Sequence, residues 1–130
     1  MADSSALAGR RVLVVEDEMM VLMNLEAALI DLGCTATSVG TIDGALTLLG
    51  STGFDAAMLD VNLHGEKSYP VADALARLGI PFVFSTGYGH HAERPEFSDR
   101  PVLRKPYIQN HLIAALTALI SPKAVDAIAD

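Results

Sequence analysis

Three acidic residues directly follow two short apolar runs that have the length of β-strands. Glu16 and Asp17 come after residues 12–15, and Asp60 comes after residues 54–59. Carboxylates that converge in space repel one another and favour a bound cation, and hard oxygen ligands that leave coordination positions open suit Mg²⁺. If the two runs are neighbouring strands, these three residues predict a magnesium site.

A hydroxyl group and an ammonium group follow two further strand-like runs. Thr86 comes shortly after residues 80–84, and Lys105 comes directly after residues 102–104. Ligands of open parallel sheets bind outside the carboxyl ends of the strands, so we expect all five groups to face one site. Such a site suits phosphoryl transfer, because Asp60 can attack phosphorus while Thr86 and Lys105 hold the phosphate and the metal neutralises the transferring oxygens.

The elements that must position these groups alternate along the chain. Residues 11–15 (RVLVV) form a predicted strand whose last four residues are all apolar, which is typical of a central strand buried on both faces. Leu22, Leu25 and Leu29 then recur at helical spacing before Gly33, which suits the end of a helix. The predicted strands are residues 11–15, 35–39, 54–59, 80–84 and 102–104, and the predicted helices are residues 19–32, 42–49, 70–78 and 107–120.

This alternation predicts an α/β fold built from five βα units. Strands that alternate with helices pair in parallel through right-handed crossovers, and the helices cover both faces of the sheet. We therefore expect a doubly wound, five-stranded parallel sheet. The fourth helix is predicted to be short or absent, because residues 88–100 contain Gly89 and Pro95 and almost no apolar face.

Length and composition favour one folded domain. The chain has 130 residues, 51% of them hydrophobic, which is enough to form a core. We assign residues 10–120 to this domain, residues 1–9 to an N-terminal extension and residues 121–130 to a C-terminal tail. No apolar run approaches the ~18 residues of a membrane span, residues 1–11 lack the apolar core that a secretory signal would show, and Cys34 is the only cysteine of the sequence. We expect a cytoplasmic protein with no membrane partner, in which Cys34 is a small buried side chain.

The net charge of -7 lies entirely in the first half of the chain. Residues 1–60 carry nine acids and two bases, whereas residues 61–130 carry seven of each. A chain with this acidic balance and no cluster of Lys or Arg repels a phosphate backbone. We therefore expect no direct binding to nucleic acid.

Around the five candidate residues, the chain resembles the receiver domain of two-component response regulators. The matching segments are VLVVEDE (residues 12–18), MLDVNL (58–63), FSTGY (84–88) and LRKPY (103–107). The resemblance extends over roughly residues 10–120 and implies a flavodoxin-like receiver fold with the strand order 2-1-3-4-5.

The resemblance also implies a role for each candidate residue. The implied catalytic residues are Asp60 as the phosphoacceptor, Thr86 as the switch hydroxyl and Lys105 as the phosphate-binding lysine. The implied Mg²⁺ ligands are Glu16, Asp17, Asp60 and the backbone carbonyl of Asn62.

The segment FSTGYG resembles the receiver subfamily that is marked by a Phe-Ala-Thr-Gly-Tyr motif. Members of that subfamily are often single-domain and work with HWE-type or related sensor histidine kinases. Three departures from the wider family stand out, one of which is the weak fourth helix. His64-Gly65-Glu66 replaces the family's common Pro-x-Met-Asp-Gly, and Val102 stands where most receivers carry Tyr or Phe.

The leading hypothesis is a stand-alone response regulator, since about ten residues follow the last predicted helix. Such a protein is not an enzyme toward other substrates. It accepts a phosphoryl group from a sensor histidine kinase, and then signals through protein contacts, with a histidine phosphotransferase or a downstream regulator as further partners, or acts as a phosphate sink.

Three alternatives differ in chemistry. A Mg²⁺-dependent phosphohydrolase with an aspartyl nucleophile, similar to haloacid dehalogenases, requires Asp-x-Asp, whereas this chain has Asp60-Val61-Asn62. The same Asn62, together with the missing basic surface, argues against a Toprim-like nuclease. A pseudo-receiver that only binds partners would not need the complete set of five groups.

Overall fold

The computed structural model describes residues 7–86, 102–104 and 109–120. In chain order the elements are β1 (Arg11–Val15), α1 (Met19–Asp31), β2 (Thr35–Val39), α2 (Ile42–Ser51), β3 (Ala56–Asp60), β4 (Asn62–Leu63), β5 (Glu66–Lys67), α3 (Tyr69–Leu78), β6 (Phe82–Thr86), β7 (Val102–Arg104) and α4 (Gln109–Ile120). Strands and helices alternate as predicted, except that the short strands β4 and β5 come between β3 and α3.

The principal sheet has five parallel strands in the order β2-β1-β3-β6-β7. When β4 and β5 are set aside, this order is the predicted 2-1-3-4-5, so the flavodoxin-like α/β fold is confirmed. The two extra strands pair with each other in an antiparallel hairpin. The prediction of a weak fourth helix concerns residues that lie outside the described part of the chain.

The central strands are buried on both faces, as their apolar sequences predict. Successive side chains of a strand point to opposite faces of the sheet. Leu13 and Val15 therefore pack with residues of α2 and α3, whereas Val12 and Val14 pack with residues of α1 and α4. Two of the described helices pack on each face, which makes the sheet doubly wound and buries β1 between the two helical layers.

The ends of two elements differ from the prediction in a way that matters for the candidate site. The strand predicted at residues 80–84 is β6, which starts after Pro81 and continues to Thr86. Proline has no N–H to donate, so Pro81 contributes only its carbonyl, which accepts from the N–H of Ala57 at 3.0 Å, and the paired residues begin with Phe82. The strand predicted at residues 54–59 likewise starts at Ala56 and includes Asp60. Thr86 and Asp60 are thus the last residues of their strands rather than the first residues of loops.

A side-chain cap stabilises the start of α2. Thr41 has extended backbone angles, and its hydroxyl oxygen accepts a hydrogen bond from the N–H of Gly44 at 3.0 Å. A side-chain oxygen at this position satisfies an N–H that the first turn of a helix leaves unpaired. Among the described helices, none combines the length and the apolar character needed to cross a membrane.

Ser68 connects the end of β3 to the start of α3 and is fully buried. Its hydroxyl donates a hydrogen bond of 2.5 Å to the backbone carbonyl of Asp60, and its N–H donates one of 2.9 Å to the carbonyl of Val61. Ser68 is not among the residues predicted from the sequence. The two hydrogen bonds of Ser68 stabilise the base of the hairpin β4–β5.

We predict that Ser68→Ala lowers the free energy of unfolding by about 1–3 kcal/mol, because a buried carbonyl loses its hydroxyl donor. The measurement is chemical denaturation followed by circular dichroism. The matched control is Ser51→Ala, because the Ser51 hydroxyl donates to a backbone carbonyl on the exposed end of α2. That change should cost less than about 0.5 kcal/mol. Equal losses in the two variants would contradict the structural role of Ser68.

Cys34 is buried, and its thiol donates to the carbonyl of Leu7 at 3.4 Å. Burial raises the pKa of the Cys34 thiol above its usual value of 9.0, and the negative charge of Asp55 acts in the same direction. The thiol therefore stays protonated at neutral pH, as expected for a residue that serves as packing.

We predict that a disulfide reagent such as DTNB reacts with folded protein at pH 8 far more slowly than with protein unfolded in urea, because the thiolate is the nucleophile. The absorbance of the released thiolate measures both rates. Similar rates in the two states would show that Cys34 is accessible and ionised.

Candidate metal site at the carboxyl ends of the strands

The register between β1 and β3 determines where the acidic residues meet. Val15 is paired with Leu59, so Glu16 follows one strand beside Asp60 on the other. Oxygen atoms from the carboxylates of Glu16, Asp17 and Asp60 all lie within 4.8 Å of one another. The structure thus brings together the three carboxylates that the sequence analysis singled out.

These carboxylates are withdrawn from water to different degrees. Glu16 and Asp60 are buried, with 2% and 7% of their surfaces exposed, whereas the Asp17 side chain keeps 18% of its surface exposed. Like charges this close raise the energy of the folded chain unless positive charge or N–H donors offset them. The cluster also keeps one side open, through Asp17, where an ion can enter.

Each of the three carboxylates accepts a hydrogen bond from a backbone N–H group. Glu16 accepts from Glu18 at 3.1 Å and Asp60 accepts from Asn62 at 3.2 Å, both two residues away along the chain. Asp17 accepts through Oδ2 from His64 at 2.9 Å, across the gap between the β1 and β3 loops. These donors stabilise negative charge and fix the directions in which the carboxylates point.

The hairpin β4–β5 supplies the third of these N–H groups. His64 and Gly65 form its two-residue loop, with φ angles of +52° and +82°. Positive φ at both central residues is the mark of the type I′ turn that joins tightly twisted strands. The hairpin was not predicted, although a glycine at the second loop position is a known sequence signal for it.

The other predicted site residues are placed only in part. Thr86 is the last residue of β6 and its backbone pairs with Arg104, so Thr86 lies at the same sheet edge as Asp60, which pairs with Ser85. Its side chain is outside the described part of the structure, as is Lys105. Asn62 begins β4 and is exposed, and its N–H contacts Asp60.

The donor set fits a small, hard divalent cation. All three side chains offer carboxylate oxygens, which are the ligands that Mg²⁺ and Ca²⁺ select over nitrogen and sulfur. Three protein carboxylates also leave coordination positions for water or for phosphate oxygens, as magnesium sites in phosphoryl-transfer proteins do. The residues therefore suit Mg²⁺ by their chemistry and by their spacing.

No family model matches the chain. Among curated proteins, the chain is 32% identical over 118 residues to the transcriptional regulatory protein TcrA of Mycobacterium tuberculosis. The match covers 87% of this chain and 47% of that protein, so the chain spans about half the length of this relative.

Solved structures match over most of both chains. The solution structure of SdrG from Sphingomonas melonis Fr1 is 46% identical, with a TM-score of 0.76, covering 87% of this chain and 97% of that one. A response regulator receiver protein from Sinorhizobium medicae is 25% identical, with a TM-score of 0.74 and coverage of 88% and 97%.

The receiver domain of the sensor histidine kinase PA1611 from Pseudomonas aeruginosa, whose structure has a magnesium ion in its active-site cleft, shares the fold at 23% identity. Its TM-score is 0.77, and the match covers 88% of this chain and 99% of that one. Sequence identity close to one half with SdrG, nearly full coverage and the shared strand order lead to one conclusion: the chain belongs to the family of response regulator receiver domains.

Proposed function

We propose that this receiver accepts a phosphoryl group on Asp60 from a sensor histidine kinase, with Mg²⁺ held by Glu16, Asp17, Asp60 and the backbone carbonyl of Asn62. The observation that carries the proposal is the cluster of three carboxylates within 4.8 Å at the end of the central strands. When bound there, Mg²⁺ supplies positive charge that neutralises the oxygens of the transferring group.

Asp60 has the position and the contacts that a phosphoacceptor needs. It ends the fully buried strand β3, and its Oδ1 accepts the N–H of Asn62. A bond forms between a carboxylate oxygen and phosphorus, the bond between phosphorus and the donor's imidazole nitrogen breaks, and the electron pair of that bond stays on the nitrogen. The product is an acyl phosphate that water can later hydrolyse.

Thr86 and Lys105 are proposed to bind the phosphoryl group, because they lie in the segments FSTGY and LRKPY that resemble the family's motifs. A hydroxyl and an ammonium group beside the acyl phosphate can bind its added negative charge, which is roughly -1.5 to -2. Thr86 ends β6 and follows Ser85, which pairs with Asp60, and this position of its backbone supports the proposal. The metal and phosphate ligands then come from four separate segments of the chain.

The alternative of a phosphohydrolase is disfavoured by the residue two positions after Asp60. That chemistry needs a second carboxylate there as the general acid and base, and the residue is Asn62. The acyl phosphate is therefore proposed to serve as a signal or a phosphate sink, and the protein promotes only its own phosphorylation and dephosphorylation.

The proposed partners follow from the same assignment. The segment FSTGYG resembles the motif of the Phe-Ala-Thr-Gly-Tyr receivers, and this resemblance supports HWE-type or related sensor histidine kinases as the proposed partners. A histidine phosphotransferase or a downstream regulator is a further proposed partner, in the cytoplasm. The acidic balance of the chain argues against direct contact with nucleic acid.

An exposed apolar surface next to the site suits docking of the kinase. Helix α1 begins two residues after Asp17, and Met19, Met20 and Met23 on its first turns are 69%, 73% and 55% exposed. Flexible methionine side chains adapt to irregular partner surfaces. A kinase helix that carries a phosphohistidine toward Asp60 would cover these side chains.

The phosphoacceptor is tested by incubating the protein with Mg²⁺ and acetyl phosphate. We expect one added phosphoryl group by mass spectrometry, labile to hydroxylamine, and none in Asp60→Asn, because the amide is not a nucleophile toward phosphorus. Asp43→Asn, an exposed change on α2, is the matched control and should be labelled normally. Undiminished labelling of Asp60→Asn would identify another acceptor.

The docking surface is tested by comparing two phosphodonors. The double variant Met20→Ser and Met23→Ser should slow transfer from a cognate sensor kinase by about tenfold, which corresponds to roughly 1.4 kcal/mol of lost apolar contact. Labelling by acetyl phosphate should be unchanged. Ile30→Ser, at the far end of the same helix and 64% exposed, is the control for a general effect on α1. An equal effect on both donors would show damage to the site instead.

A further inference from the structure

The hydrogen bond from His64 to Asp17 is the long-range member of the three backbone bonds that hold the carboxylates. The other two join residues two apart in sequence, whereas His64 and Asp17 are 47 residues apart. A local bond forms wherever its own loop forms. This one forms only when the hairpin after β3 folds against the loop after β1.

The bond depends on a feature in which this chain departs from the common receiver pattern. That pattern has proline where this chain has His64, and proline has no N–H to donate. Here a residue with an N–H occupies the position, and that N–H donates to Asp17 Oδ2 at 2.9 Å. The φ of His64 is +52°, in the left-handed region. A residue other than glycine in this region is uncommon and indicates a constraint from the surroundings.

Gly65 makes the turn possible. Its φ is +82°, and a Cβ built at this position would meet nothing within 4 Å. A larger residue there would therefore not clash, but it would disfavour the backbone conformation that the turn requires. Substitution of Gly65 consequently tests the turn itself rather than packing around it.

We propose that the His64-Gly65 turn is a positioning element for Asp17, which holds this carboxylate in the orientation that binds Mg²⁺. The inference rests on the proposed function, because it assigns Asp17 to the metal. Asp17 Oδ2 has two lone pairs, so it can accept the N–H and retain capacity for a cation. Hydrogen bonds of this kind to metal-binding residues change metal affinity by roughly 10- to 100-fold.

The N–H rather than the imidazole carries this role. The His64 ring lies with Nδ1 at 3.6 Å from Asp17 Oδ2, but 65% of the side chain is exposed. Exposed contacts of this type contribute little because water screens them. Asparagine at position 64 keeps the N–H and tolerates positive φ, so it should preserve the function of the turn.

The first test measures Mg²⁺ affinity by isothermal titration calorimetry of unphosphorylated full-length protein. Gly65→Val should weaken binding by about tenfold, whereas His64→Asn should stay within about threefold of the unsubstituted chain. Gly79→Val is the matched control, because Gly79 ends α3 with a φ of +74° and equally open space. It carries similar backbone strain away from the site and should leave Mg²⁺ affinity unchanged.

The second test needs no metal and does not depend on how well the Gly65 variant folds. In Mg²⁺-free protein, the amide of His64 should exchange with solvent at least about tenfold more slowly than the same amide in Asp17→Ala, as measured by NMR. Exchange of the His64 amide at the rate of an unprotected peptide would show that the bond is absent and would overturn the proposal.

The remaining outcomes separate this inference from the proposed function. If the unsubstituted chain binds no Mg²⁺, both fail. If it binds Mg²⁺ and Gly65→Val binds equally well, the inference alone fails. It also fails if Gly79→Val is weakened as much as Gly65→Val, since the effect would then be general strain, or if His64→Asn is weakened as much, since the imidazole would then carry the role.

Discussion

The parallel pairing of β1 with β3 is the constraint on which the site depends. Because Val15 and Leu59 are partners in this ladder, Glu16 and Asp60 follow adjacent positions of neighbouring strands. Their proximity therefore does not depend on the conformation of the loops. The carboxylate oxygens lie within 4.8 Å of one another, and two ionised carboxylates at that spacing would repel each other by about 3 kcal/mol at an effective dielectric constant of about 20. The strands can impose this arrangement because both faces of β1 and β3 are packed against helices, so neither strand can slide to relieve the repulsion.

The loops after the strands orient the carboxylates. A strand fixes the position of a Cα atom, but a carboxylate still rotates about its side-chain bonds. The N–H groups of Glu18, Asn62 and His64 restrict that rotation, one for each acid. The base of the hairpin is fixed in turn by Ser68, whose hydroxyl binds the carbonyl of Asp60. The strands thus determine where the three acids lie, and the loops determine how their carboxylates are oriented.

This separation explains what could be predicted from the sequence. The fold followed from apolar runs and helical spacing, because burial of Val12–Val15 on two faces leaves a continuous signature. The three carboxylates could be found since each stands at a strand end. The hairpin was not predicted because each of its strands has only two residues and shows no apolar alternation. The role of Ser68 was not predicted because serine is common in turns and at the starts of helices for local reasons. Strand ends were displaced by one or two residues, since a ladder can continue past the last apolar side chain, as β6 does to Thr86.

Because strands position the acids and loops orient them, the loops can differ between receivers without loss of the fold. A change in the register of β1 against β3 would invert the buried faces of a strand and unfold the core, so the positions of the acids are not free to vary. The turn at His64 and Gly65 buries little, since positions 64 to 67 are all exposed. Replacing a proline by a residue with an N–H therefore changes the hydrogen bonding of Asp17 at little expense to the core. Differences in how proteins of this fold orient these carboxylates should accordingly arise in the segment after β3, while the strands that carry the acids stay the same.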